Sequence, residues 1–177
     1  MNIVAISGSL RKGSFNTALM RSLQALAPAG MNIQIVDISA LPFFNQDEEA
    51  SFPATAQMLK DSIEAADGII IATPEYNRSF PGVLKNAIDW ASRPWGKNSF
   101  VGKPVLTMGV SVGKISTAVA QNHLKQVLTY LDMQVIGQPE LYIGPASEVF
   151  DGEGNITDAS TKELLTKALE TLGNRAA

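Results

Sequence analysis

The sequence predicts a doubly wound α/β domain with helices on both faces of a five-stranded parallel sheet, and three observations predict it. Apolar runs rich in β-branched residues, Ile3-Val4-Ala5-Ile6, Gly68-Ile69-Ile70-Ile71-Ala72-Thr73 and residues 104–111, lack the polar alternation of a sheet wetted on one side. Segments of helical periodicity alternate with these runs, the pattern of parallel strands joined by right-handed crossovers. The loops richest in polar residues and glycine, 7–16, 73–81 and 110–114, all follow strands, which gathers them at the carboxyl edge of the sheet.

The first strand, beginning at Asn2, runs into Ser7-Gly8-Ser9-Leu10-Arg11-Lys12-Gly13-Ser14-Phe15-Asn16. A helical pattern through Leu19, Leu23 and Leu26 follows and should stop near Ala27, before Pro28-Ala29-Gly30. Residues 31–37 alternate as a second strand. Residues 41–53 read as loop, and their acids Asp47, Glu48 and Glu49 as solvated carboxylates rather than metal ligands. Met58, Leu59, Ile63 and Ala66 give 54–66 the spacing of an amphipathic helix. After the third strand comes a polar, aromatic loop, then a helix over 81–91 with proline in its first turn. A loop over 93–103 leads to the fourth strand, a turn at 112–114 and a helix over 115–131.

An extended stretch over 133–143, broken by Gly137 and Pro139, supplies the fifth strand. Asp151-Gly152-Glu153-Gly154-Asn155 is a surface turn, and 160–172 a closing helix with Ser160 as N-cap and Glu163 completing a capping box. Five strands in one domain of 177 residues favour the flavodoxin-like order 2-1-3-4-5, with the ligand at the ends of strands one and three.

Composition narrows the ligand. A net charge of −3 and a pI near 5.1 exclude a generally basic, nucleic-acid-binding surface, so the one cationic loop points to a small anion. The absence of cysteine excludes thiolate nucleophiles, disulfides and zinc knuckles; any electron transfer must use a cofactor. A strand beginning at Asn2 leaves no room for a signal peptide, and no apolar run is long enough to span a bilayer, so a cytoplasmic protein without membrane or nucleic-acid partners is expected.

Three nucleotide loops compete for residues 7–16. A P-loop requires lysine and a hydroxyl after its second glycine, and Ser14 and Phe15 stand there instead. No GxGxxG window exists, which weakens the dinucleotide reading even with Asp37 as a ribose-binding acid. The third option is a hydroxyl-rich loop holding one terminal phosphate, as in FMN, with donors from Ser9, Arg11, Ser14 and Asn16. The alternative for this loop alone is a plain turn with Asn16 capping the helix. A flavin also needs a flat surface and in-plane donors, which Tyr76 and the backbone of Glu75, Tyr76 and Asn77 can supply.

Gly8 through Asn16, Thr73-Pro74-Glu75-Tyr76-Asn77 and Ser79-Phe80-Pro81-Gly82-Val83-Leu84-Lys85-Asn86-Ala87-Ile88-Asp89-Trp90 resemble the NADPH-dependent FMN reductase family, in its quinone and chromate reductase branch. The resemblance extends from the first strand to about Gly144. It implies a flavodoxin-like fold, non-covalent FMN and dimers or tetramers. It also implies hydride transfer from NADPH or NADH to quinones, azo dyes, chromate or free flavin. By position it puts Ser9, Arg11, Ser14 and Asn16 at the phosphate, with Phe15 in the same loop. Pro74, Glu75, Tyr76 and Asn77 fall beside the isoalloxazine, and Ser111 with Gly113 in the third ring-facing loop. The chain departs from the pattern at Arg78, where an uncharged residue is common, at Ser116-Thr117 for a glycine pair, and at Val119 for an arginine.

The reaction expected is ping-pong, with no catalytic side chain and no metal. Arg78, Lys97 and Lys114 are candidates for a clamp on the nicotinamide 2′-phosphate, Arg78 and Lys114 rimming the site. His123 reads as a surface or packing residue, and Trp90 and Trp95 as core aromatics or pocket wall. Rival readings are an electron carrier, a receiver domain, which needs acids after strand one where Ser7-Gly8-Ser9 stands, and a flavin-free regulatory protein.

Overall fold

A computed structural model describes residues 1–177. The apolar runs form β1 (Asn2–Ser7), β2 (Asn32–Val36), β3 (Gly68–Ala72) and β4 (Pro104–Val110), parallel and in the order β2-β1-β3-β4. Every residue of β3 and β4 is buried, which is why neither shows polar alternation. The expected fifth strand is divided. β5 (Gln134–Val135) pairs with Pro104 and Val105, and β6 (Leu141–Ile143) with Met108 to Val110, so both lie on the same edge of β4 and the sheet has six strands. Pro139 has no N–H to donate, and the ladder cannot run through it.

Successive strand residues face opposite sides of the sheet, and the core divides accordingly. Ile3, Ala5, Ile70 and Leu106 pack under α1 (Phe15–Leu26) and α6 (Ala159–Ala176). Val4, Ile6, Ile69 and Ile71 pack under α2 (Ala54–Glu64), α3 (Gly82–Ala91) and α4 (Ala118–Tyr130). A short α5 (Ala146–Val149) follows β6 and was not foreseen.

Several boundaries differ from the expected ones for local reasons. The helix expected from 115 starts at Ala118, because Ser116 has a φ of 53° and interrupts the turn. Ser160 does not cap α6. Asp158 does, accepting from the Thr161 N–H at 2.6 Å, while the Ser160 hydroxyl donates to the same carboxylate. These bonds, led by that of Ser160, hold the Asp158 pKa down to about 2. Within 41–53, Gln46–Ser51 forms a 3-10 helix. Glu49 turns inward rather than into solvent, 3.7 Å from Arg93. Trp90 is fully buried, donates to the Pro42 carbonyl and meets Phe44 and Phe52 edge-on, fastening this segment to α3; Trp95 is exposed.

Lys60 anchors the loop between α3 and β4. Its buried ammonium donates to the Ala91 and Lys97 carbonyls and to Ser99 Oγ, at 3.2, 2.6 and 2.7 Å. Burial lowers its pKa against the opposing pull of Glu64. Lys60→Met keeps the aliphatic volume but leaves those acceptors without a donor. It should cost about 1–3 kcal/mol of stability, measured by urea unfolding.

Candidate active site

Three loops meet at the carboxyl edge, where the strand order reverses between β1 and β3. In the first, Gly8 donates to the Ala72 carbonyl at 2.8 Å, and a side chain there would press on Leu84 and Pro74. Ser14 is the N-cap of α1: its hydroxyl accepts from the Thr17 N–H and its own N–H donates to the Arg11 carbonyl. The N–H groups of Leu10, Arg11, Lys12, Gly13, Phe15 and Asn16 donate to nothing in the chain. Arg11 and Lys12 are exposed, enter no ion pair, and the first turn of α1 has no acid. The Arg11 guanidinium lies 5.6 Å above the Phe15 ring. A nest of free N–H groups beside two free cations at a helix N-terminus is complementary to a phosphate dianion.

Asn16 is placed differently from its neighbours. It is 3% exposed, and its amide bonds both backbone groups of Val110, accepting at 3.0 Å and donating at 3.1 Å. It ties the first loop to the end of β4.

The second loop is a tight hairpin. The N–H groups of Tyr76 and Ser79 each donate to the other's carbonyl at 3.0 Å, with Asn77 and Arg78 at φ 51° and 61°, the geometry of a type I′ turn. Tyr76 is 53% exposed, and the N–H groups of Asn77 and Arg78 are unpartnered. The Thr73 hydroxyl donates to the Pro74 carbonyl. Glu75 turns away from the hairpin tip: one carboxylate oxygen accepts from the N–H groups of Val119 and Ala120, and the other meets Arg78 at 3.1 Å. His123, exposed on α4, has Nδ1 at 3.3 Å from Ser79 Oγ.

In the third loop, Ser111 Oγ accepts from the Gly113 N–H at 2.9 Å, and Ser111 is further bonded to Ile143 and Ala146. Ser116 is buried and donates to the Ile143 carbonyl at 2.6 Å, stitching β6 to the loop. It adopts the left-handed conformation, which glycine would take without strain. Lys114 is exposed and forms no ion pair.

The structure therefore gathers Glu75, Asn77, Arg78, Ser111, Gly113 and Lys114 around one cleft of about 440 Å³. Ser9 and Arg11 line another of about 320 Å³ on the β2 side. Lys97 joins neither, because its loop enters β4 at the opposite edge. A groove of about 620 Å³ between α3 and α4, edged by Trp95 and Tyr130, is also remote from these loops. Sequence reasoning missed the side chain of Glu75. The available signal was negative: α4 begins without a capping side chain or an acid in its first turn, so an acceptor had to come from elsewhere. No helix is long and apolar enough to cross a membrane.

Residues 1–148 match the family model for NADPH-dependent FMN reductase. A 2-hydroxy-1,4-benzoquinone reductase of Burkholderia sp is 48% identical over 165 residues, 93% of this chain and 90% of that protein. A quinone reductase of Escherichia coli strain K12 is 42% identical over 98% of this chain and 94% of its own. Among solved structures, the flavoenzyme NAD(P)H:(acceptor) oxidoreductase FerB of Paracoccus denitrificans superposes with a TM-score of 0.92 at 40% identity, covering 99% of this chain and 96% of that one. The chain belongs to the NADPH-dependent FMN reductase family, enzymes that use FMN and a reduced nicotinamide.

Proposed function

We propose that the chain is a single-domain NAD(P)H-dependent quinone reductase that binds FMN non-covalently across the β1–β3 switch point. The observation that carries this reading is the first loop, with its free N–H groups and its two unpaired cations at the N-terminus of α1, on the same sheet edge as the hairpin that exposes Tyr76. Ser9, Arg11, Ser14 and the N-terminus of α1 would hold the phosphate, with Phe15 supporting Arg11. Pro74, Glu75, Tyr76 and Asn77 would flank the ring, Ser111 and Gly113 closing its other side.

FMN, when bound, supplies the two-electron chemistry, accepting hydride from NADPH or NADH and delivering it to an acceptor in two separate half-reactions. The chain's part is to bind, orient and stabilise. The unpartnered N–H groups at the hairpin tip suit negative charge at the polar edge of the ring. Arg78 and Lys114 rim the cleft where the nicotinamide 2′-phosphate would lie, and only Lys114 is free of an acidic partner. Quinones, chromate, azo dyes and free flavin are the acceptor classes for such an open cleft. The protein acts in the cytoplasm as a homodimer or homotetramer.

Reconstitution with FMN under anaerobic NADPH tests the reading. The yellow colour should bleach and return on adding a quinone; a carrier without a nicotinamide site stays yellow, and a protein that binds no FMN refutes the proposal. Arg11→Ala should weaken FMN by about 1.5–3 kcal/mol, roughly 10- to 150-fold, and riboflavin hardly at all, read by flavin fluorescence.

A further inference from the structure

Resting on the FMN reading, we infer that Glu75 is a positioning residue whose carboxylate makes the ring-facing hairpin and the start of α4 one mechanical unit. Its side chain is 8% exposed, although Tyr76, Asn77 and Arg78 beyond it are open to solvent. One oxygen takes the Val119 and Ala120 N–H groups at 3.1 and 3.0 Å, from helix residues 44 and 45 positions away. The other takes Arg78 Nη1 at 3.1 Å. Three donors from two elements therefore converge on one carboxylate.

Each side of this clamp depends on it. Thr117 does not cap α4 with its side chain, so Glu75 supplies the anion that the first turn requires. On the hairpin, Asn77 and Arg78 both occupy the left-handed region, a conformation unfavourable for residues with a Cβ. The ion pair compensates at Arg78 and selects that turn. Tyr76 lies between the carboxylate's own residue and this strained pair, so its backbone is held from both sides by the clamp. The pairing also commits Arg78 to the protein and leaves Lys114 as the free cation of the rim.

The experiment compares Glu75→Gln with the unmodified protein by amide hydrogen exchange without flavin, and by FMN and riboflavin affinities. An amide side chain carries no charge and has only one acceptor oxygen, so it cannot serve Arg78 and the α4 N–H groups together. Exchange should quicken about tenfold at Tyr76, Ser79, Val119 and Ala120 together, and both flavins should weaken by the same factor of about ten. A helix cap and nothing more would quicken Val119 and Ala120 while leaving the hairpin amides and both affinities unchanged, and that result overturns the inference. Should Glu75→Gln not fold, Arg78→Gln removes only the hairpin arm. Faster exchange at Tyr76 and Ser79 with Val119 and Ala120 unaffected supports the clamp; an unchanged hairpin overturns it. If the unmodified protein binds neither flavin, the FMN reading fails, and the exchange pattern still decides the coupling.

Discussion

Gly109→Ala should destabilise the fold by about 3–5 kcal/mol and abolish flavin binding, an effect of backbone displacement rather than of lost contacts. A Cβ at Gly109 would lie 2.1 Å from Thr117 Oγ1 and 2.3 Å from the Thr73 carbonyl oxygen, inside the van der Waals limit on both sides. Thr117 is itself fixed: its hydroxyl accepts from Gln121 Nε2, which also donates to the Leu141 carbonyl. Thr73 is backbone-bonded to Met108 and leads directly into the ring loop. An alanine must therefore push apart the entrances of two loops that face the cleft. Urea unfolding gives the stability loss. Adding Thr117→Gly should restore less than half of it, because the Thr73 carbonyl remains; full recovery would place the strain wholly on the Thr117 side.

The readable part of this molecule was the part decided by burial over a whole segment. β3 and β4 are covered on both faces, so their lack of polar alternation identifies them, and their order then locates the three loops at one edge. What escaped were decisions taken by one side chain against a distant one. Asp158 and Ser160 are both good helix caps, and only the side-chain geometry decides for Asp158. The start of α4 moved because Ser116 is held left-handed by bonds to β6, 27 residues on. Gly137 and Pro139 marked the break in the last strand, but not that both halves would return to the same edge of β4. At the candidate site, the motifs located the loops; Arg11 and Lys12 form no ion pair although Asp37 lines the same cleft, whereas Arg78 is taken by Glu75. The Glu75 clamp spans 44 residues, and its one local trace is the lack of an acid in the first turn of α4.

Asn16→Ala should cost about 2–6 kcal/mol, because two buried backbone groups lose their partners at once. β3 pairs with β4 only as far as Ala72 opposite Met108, with the Thr73 N–H closing the ladder on the Met108 carbonyl. Beyond it the chain leaves the ladder for the hairpin, and Val110 would end with both groups unpaired. The Asn16 amide fills that place as a surrogate strand residue, which also sets the spacing between the phosphate loop and the third loop. Asn16→Asp should be no better than alanine: it can accept from the Val110 N–H but sets a carboxylate oxygen against the Val110 carbonyl. The same variants separate two roles for this residue. As a brace it fixes the distance between loops, so its loss should weaken FMN and riboflavin alike. As a phosphate ligand through its remaining amide proton, its loss should spare riboflavin, as Arg11→Ala should. Equal losses, measured by fluorescence titration on protein confirmed as folded, make it a brace.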